Sequence, residues 1–244
     1  LVNYREILAG LIVLLYLADC LRLLEPGEVA LAAWSGKAWR ARFGSRRWQL
    51  MGKDVLLANP LAPAEMLFIL RWRAADTAPQ EPGTVRVEQI RAAAQALGTA
   101  AWLCCGTGIL AILILPTLML LQLGTVPIIA CVAALYLNIA VTALVIYSRR
   151  NQLGIPPKAI AKACAEALLC APYGANLARR MALALPTREL RLAQAAALLL
   201  DDNHRIHAWE ECRARLAELL AEFDDGSPEY RRLKAEEAIW SARP

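Results

Sequence analysis

The chain has 244 residues, 58% of them hydrophobic and 20% charged, and a net charge of +5. Residues 92–148 contain no Asp, Glu, Lys, Arg or His, which excludes a soluble enzyme, whose helices and turns face water, and equally a disordered tail or a disulfide-stapled mini-domain. Basic and acidic residues (27 against 22) are interspersed elsewhere, so the charge gives no argument for nucleic acid as a partner.

The first element runs from Ile7 to Ala18, apolar or small throughout, and is extended by Leu23 and Leu24. Asp19 and Arg22 lie three apart on one helical face and can pair. The segment predicts an N-terminal transmembrane helix over 1–24. A cleaved signal would open with net positive charge, whereas Glu6 cancels Arg5. Leu17-Ala18-Asp19-Cys20 lacks the small residue that a lipoprotein cleavage site needs before its cysteine, so the segment reads as retained.

Residues 25–96 predict a small β-meander, an interfacial segment and a helical lead-in. Short strand-like runs at Glu28–Trp34, Ala38–Phe43, Arg47–Met51 and Asp54–Ala58 are separated by turn residues at 35–37, 44–46 and 52–53. Trp39, Ala41 and Phe43 face one way, Arg40 and Arg42 the other; Trp48 and Leu50 oppose Arg47 and Gln49. Trp favours the headgroup zone, and each cation gains about 1 kcal/mol near anionic lipid. Trp39, Arg40, Arg42, Arg47 and Trp48 are therefore candidates for a lipid-headgroup or partner surface. An ordinary β-module with a solvated basic face explains the same pattern. Met66–Leu70 is too short to span and reads as interfacial or packed on the meander. Ala78–Gly83 reads as a linker, and from Val85 a helix carrying Glu88 and Arg91 runs into the next span.

A membrane segment followed by Glu25-Pro26-Gly27-Glu28-Val29 and short strands resembles the start of stomatin- and prohibitin-like membrane scaffolds, over about thirty residues. The resemblance implies a membrane-anchored scaffold. Beyond it the pattern departs: a second membrane hairpin stands where a long charged coiled coil would follow.

As one helix the uncharged block would be about 85 Å long, against a hydrocarbon core of about 30 Å. It predicts a transmembrane hairpin over 97–148, with spans near 98–121 and 127–147. Gly124 ends the first and Pro127 begins the second. Pro116 predicts a kink. Gly106-Thr107-Gly108-Ile109-Leu110-Ala111 fits the glycine pattern of dinucleotide-binding turns, but the preceding strand and following acid are missing. Close helix packing accounts for its small residues. Ala130, Ala134, Asn138 and Thr142 recur every four residues and predict a transmembrane packing face, with Asn138 hydrogen-bonding to another helix. The spans hold no ionisable group, which weighs against an ion-coupled carrier.

Residues 149–244 are charged, alanine-rich and helical in pattern, with helices expected at 157–170, 175–185, 188–201, 203–223 and 228–241. Breaks fall at Pro156-Pro157, Pro172-Tyr173-Gly174, Pro186, Asp201–Asn203 and Gly226. Trp209, Cys212, Leu216, Leu219 and Phe223 form a narrow apolar stripe, for its own bundle or for a partner helix. His204, His207 and Glu211 fall at i, i+3 and i+7 and are the candidate metal ligands. A solvated helix start explains them equally, so no metal or cofactor is assigned. The seven cysteines form no framework.

Lys and Arg set the expected orientation: eleven in residues 19–96, fifteen in 148–244 and none in the turn at 122–126. These place both basic segments in the cytoplasm and the N-terminus outside, in a bacterial inner-type plasma membrane. The sequence thus predicts a mainly α membrane protein with three transmembrane helices, a cytoplasmic β-meander and a C-terminal α-helical domain. Its expected function is a multi-pass anchor, scaffold or accessory subunit in the lipid bilayer, holding a protein partner or a homo-oligomer. The alternatives are a membrane-interface enzyme or redox protein acting on an anionic lipid-like substrate, and a transporter subunit.

Overall fold

The computed structural model describes residues 4–34, 38–73, 84–225 and 227–241. The expected turn at 35–37, linker at 78–83 and break at Gly226 lie outside them. Most of the described chain is helical, and it contains two three-stranded antiparallel sheets.

Helix α1 (Tyr4–Cys20) is shorter than the expected 1–24. Leu21–Leu24 instead form strand β1, paired with β5 (Lys53–Leu57) from Leu21 opposite Leu57 to Leu24 opposite Asp54. A short apolar run suits helix or strand, and here the β5 edge decides.

The expected single meander is divided between two sheets. One has the order β3–β2–β6 and the other β1–β5–β4, where β2 is Glu28–Trp34, β3 Ala38–Arg42, β4 Ser45–Leu50 and β6 Glu65–Arg71. Met66–Leu70, expected to be interfacial or packed on the meander, is the interior of β6, paired with β2 and buried. Val29, Leu31, Ala33, Met66, Phe68 and Leu70 face the helices. Ala30, Ala32, Leu67 and Ile69 face Leu24, Leu56 and Ala58 of the other sheet. A strand buried on both faces loses the alternation that marks a strand in sequence.

Helix α2 (Thr84–Gly108) supplies the core on the helical side. Val87, Ile90, Ala94, Leu97, Ala101 and Cys104 alternate spacings of three and four and are all buried. The helix then widens into π-helical turns (Ile109–Ile114), where the Leu115 amide bonds the Leu110 carbonyl, and tightens into α3 (Leu115–Leu120). Pro116 explains the widening: its ring crowds the preceding turn and it has no N–H to donate. Gly124, at φ +87°, opens the return helix α4 (Thr125–Ser148). Val87–Leu120 and Thr125–Ser148 are long and apolar enough to cross a membrane, and only 39% and 22% of their most apolar windows are buried. Ile12 of α1 joins them, packed against Leu115, Met119 and Cys131.

The C-terminal region follows the expected helices with finer breaks: α5 (Arg150–Leu153), α6 (Pro157–Leu169), α7 (Ala171–Gly174), α8 (Leu177–Leu183), a 3₁₀ turn (Thr187–Glu189), α9 (Leu192–Leu199), α10 (Asp202–Glu222) and α11 (Pro228–Ser241). These helices close over the sheet: Thr187 Oγ1 donates to the Ile69 carbonyl, and the Arg71 amide to that of Leu190. One apolar core runs from Leu31 in β2 through Leu97 and Ile139 to Trp240 in α11.

Candidate functional site

Two polar assemblies tie distant parts of the chain together. The first lies where α1 meets the sheets. A Cβ on Gly174 would stand 2.8 Å from Ile139 Cγ1, so glycine there lets α7 lie against α4. This sets α8 over the loop between β5 and β6, with Arg179 wholly buried. Arg179 Nε donates to the Glu65 carbonyl at 3.0 Å, Nη2 to those of Asn59 and Ala62 at 3.1 and 2.8 Å, and Nη1 to Asn176 Oδ1 at 2.7 Å. Tyr16 of α1 donates its hydroxyl to the Pro60 carbonyl at 2.6 Å. Beside them, nearly buried Asp19 accepts from Arg180 Nη2 at 2.6 Å and Asn176 Nδ2 at 3.0 Å, while Arg180 also pairs with Glu166 at 2.6 Å. A guanidinium is a rigid fork of five donors, and that of Arg179 is committed to the protein's own backbone and to Asn176. The chemistry is that of a clamp.

The second assembly joins α10 to the sheet of β4 and β5. Arg215, 8% exposed, bonds Asp54 Oδ2 at 3.2 Å, the Gly44 carbonyl at 2.6 Å and Glu211 Oε1 at 2.8 Å, and lies over the Phe43 ring. In front is an open cleft of about 510 Å³ lined by Phe43, Arg46, Arg47, His207, Glu211 and Arg215. Arg46 pairs with Glu218 across it. Partial burial, with Arg215 nearby, pulls the Arg46 guanidinium below its ordinary pKa. The cleft therefore brings Arg47, from the expected headgroup or partner surface, together with His207 and Glu211 of the candidate metal group.

The metal candidates do not converge. Asp201 takes His204: its carboxylate caps α10 by accepting from the His204 amide at 2.9 Å and lies 2.7 Å from the ring Nδ1. Glu211 is spent on Arg215. Among the described residues, no group of three His, Cys, Asp or Glu side chains could hold a metal ion.

The expected basic and aromatic surface is also split. Trp39 is buried, its ring 5.8 Å from that of Phe68. Arg42 pairs with Glu65 at 2.8 Å and donates to the Leu57 carbonyl. Arg40, Arg47 and Trp48 are exposed. On α10, Trp209, Cys212 and Leu216 are buried under α11, with Trp240 edge-on to Trp209 at 4.7 Å. Leu219 packs against the same core, and Phe223 lies past the helix end, partly exposed. The stripe is thus filled by the protein's own helices, and burial raises the Cys212 thiol pKa. On α4, Asn138 Nδ2 donates to the Leu103 carbonyl and to Thr107 Oγ1, both at 2.8 Å. Thr142 is buried and bonds the Asn138 carbonyl, whereas Ala130 and Ala134 are exposed. The buried face of α4 is instead Cys131, Leu135, Ile139, Thr142 and Ile146.

Arg179 escaped the sequence reading; Arg215 is legible there only as the partner of Glu211 four residues before it, a pair the structure contains, and not as the partner of Asp54 and Gly44. Arg179 had one visible signal: it stands three residues from Asn176 and three from Ala182, on the apolar side of a helix. No known protein family, curated protein or solved structure matches the chain.

Proposed function

We propose that this chain is a multi-pass membrane protein that acts as an anchor or scaffold, holding an α/β body rigidly at the membrane surface for a protein partner or for self-assembly. One observation carries the reading: beyond Thr107 the helix Val87–Leu120 and its return α4 pack on one another and on Ile12 through Leu115, Met119 and Cys131, and leave Leu113, Leu120 and much of α4 bare on the outward side. In water the bare part is costly. Val126, Ile129, Leu137 and Leu144 on α4 alone are each more than 60% exposed, and each forgoes about 1.5–3 kcal/mol of burial. That sum rivals the whole stability of a typical domain, about 5–15 kcal/mol. A bilayer removes the cost. In this reading α1 is a third, shorter crossing, packed through Ile12 on the hairpin. The distribution of Lys and Arg favours a cytoplasmic body in a bacterial inner-type membrane. Because anchor and body share one core, the body cannot swing on a linker, which suits a platform.

Alkaline carbonate washing and light scattering in mild detergent test this. The reading expects retention in the membrane pellet and a defined oligomer or stoichiometric complex. A monodisperse particle that needs no detergent would sink it, and a lone monomer in detergent would remove the scaffold role. A second reading, an enzyme acting on an anionic group, is favoured by the cleft that gathers Arg46, Arg47 and His207. Turnover lost on His207→Ala, with the fold intact, would favour that reading.

A further inference from the structure

The part of the hairpin that projects beyond the body is too short to cross a bilayer alone. The body begins where Gly174 meets Ile139 and Thr107 and where Pro63 Cγ would lie 3.2 Å from a Cβ on Gly108. From that level to the turn, Gly108–Leu120 on one side and Thr125–Ile139 on the other measure about 20 Å at 1.5 Å per residue. The hydrocarbon core is about 30 Å thick. If the hairpin spans, roughly 10 Å of the body's near side must lie in lipid.

That side is built for such surroundings. Leu61, at the apex of the loop 59–65, is 91% exposed, and Leu169, at the end of α6, is 88% exposed. Trp102 and Trp34 are exposed together, edge-on at 6.5 Å. Leu21 and Leu57 pair on the neighbouring sheet with both side chains exposed. At this level Arg179, Asn176 and Asp19 are buried and bonded to one another or to backbone, while Asn59 in the loop is exposed and Arg42, paired with Glu65 beside Leu57, is partly so.

The loop itself is the second observation. Irregular backbone at membrane depth needs its carbonyls and amides satisfied by protein. Arg179 takes the carbonyls of Asn59, Ala62 and Glu65, and Tyr16 takes that of Pro60. The Leu61 amide donates to Asn59 Oδ1, and those of Ala62 and Glu65 donate to carbonyls within the loop. Pro60 and Pro63 have no amide hydrogen to satisfy.

We propose that the loop 59–65 is a lipid-contacting wedge: Leu61 sits in the hydrocarbon, and Arg179 and Tyr16 keep the loop backbone dry. This rests on the spanning reading and extends it from the helices to the body.

The test is collisional accessibility of spin labels on the full-length protein in vesicles of phosphatidylcholine and phosphatidylglycerol. Labels are placed at Leu61→Cys, at Leu137→Cys on α4 as the lipid reference and at Met51→Cys on the β4–β5 turn as the aqueous one. The partly exposed Cys105, Cys164 and Cys170 are replaced by Ala. Leu61, Leu137 and Met51 are largely exposed in the protein, so labelling them leaves the core untouched. The expected result is an oxygen-to-nickel-chelate accessibility ratio at Leu61 close to that at Leu137 and several-fold above that at Met51. A Leu61 ratio equal to that of Met51, with Leu137 in lipid, overturns the wedge while sparing the spans; the bilayer then thins to meet the hairpin. A Leu61 label shielded from both reagents also overturns it, since protein then covers the loop. If Leu137 proves aqueous, the spans fail and the wedge with them.

Discussion

The two apolar helices of the hairpin, Val87–Leu120 and α4, carry nearly the same hydropathy and differ in how far the protein covers them. The most apolar windows of Val87–Leu120 and Thr125–Ser148 have mean hydropathies of 2.3 and 2.4. Yet 39% of the first window is buried in the protein and only 22% of the second, where α4 leaves Val126, Ile129, Leu137 and Leu144 bare. Hydropathy reports only that a segment avoids water; whether protein or lipid replaces the water is set by what else the chain folds against it. In the buried stripe of α2, Ala94 and Ala101 let neighbours close in.

The largest expected effect falls at the joint between the two environments. Arg179→Met takes the guanidinium from three carbonyls and Asn176 Oδ1; those of Asn59 and Ala62 keep an amide donor, and each buried acceptor left unpaired costs about 1–3 kcal/mol. Thermal or denaturant unfolding in detergent measures it. Arg179→Lys should not restore the loss, because an ammonium cannot reach carbonyls 59, 62 and 65 at once. Full stability in the lysine variant would show that a point charge suffices and that the fork is incidental.

A matched set of substitutions sharpens the contrast itself. Ala94→Leu in the buried half of α2 and Gly174→Ala beneath Ile139 should each destabilise by about 1–3 kcal/mol through overpacking. Leu137→Ala on the bare face of α4 should change stability by no more than about 0.5 kcal/mol. Equal costs at Ala94 and Leu137 would mean that α4 is covered by another protein chain.

How much of this was readable in advance depended on the range of the interactions. The ends of β2 and α11, the start of β3, the turn at Gly124 and the helical C-terminal region were legible, because turn residues and periodicity are local. The strand Met66–Leu70 was not, since burial on both faces erased its alternation. The end of α1 was missed because Leu21–Leu24 continue an apolar run, and only β5, thirty residues on, pulls them into a sheet. Trp39 showed the correct face but not its surroundings: alternation says which side a residue is on, not whether Phe68 waits there. The arginine clamps were least visible, because Arg179 answers carbonyls 114 to 120 positions away and Arg215 an aspartate 161 away.

The second clamp gives the next prediction in size. Arg215 and Asp54 join α10 to β5 from within the core, so a double-mutant cycle of Arg215→Met and Asp54→Asn should return a coupling of about 0.5–3 kcal/mol. The same cycle between Arg215 and Arg179 should return none, because the two serve separate joints. A coupling between the arginines would show that the joints open together.

The smallest effect belongs to a group that touches neither environment. Asp201 caps α10 from the surface, and the His204 amide and ring hold its carboxyl below the ordinary aspartate pKa. A lowered pKa means that the folded state favours the anion. The contribution to stability is therefore fully present above the unfolded value of about 3.9 and is lost as pH falls through the lower folded value. Asp201→Ala should lower Tm slightly and by a constant amount at neutral pH, and the difference from the parent should close below that range. A difference that persists in strong acid would mean that the side chain works by shape and that the hydrogen bond to the His204 amide is incidental to the cap.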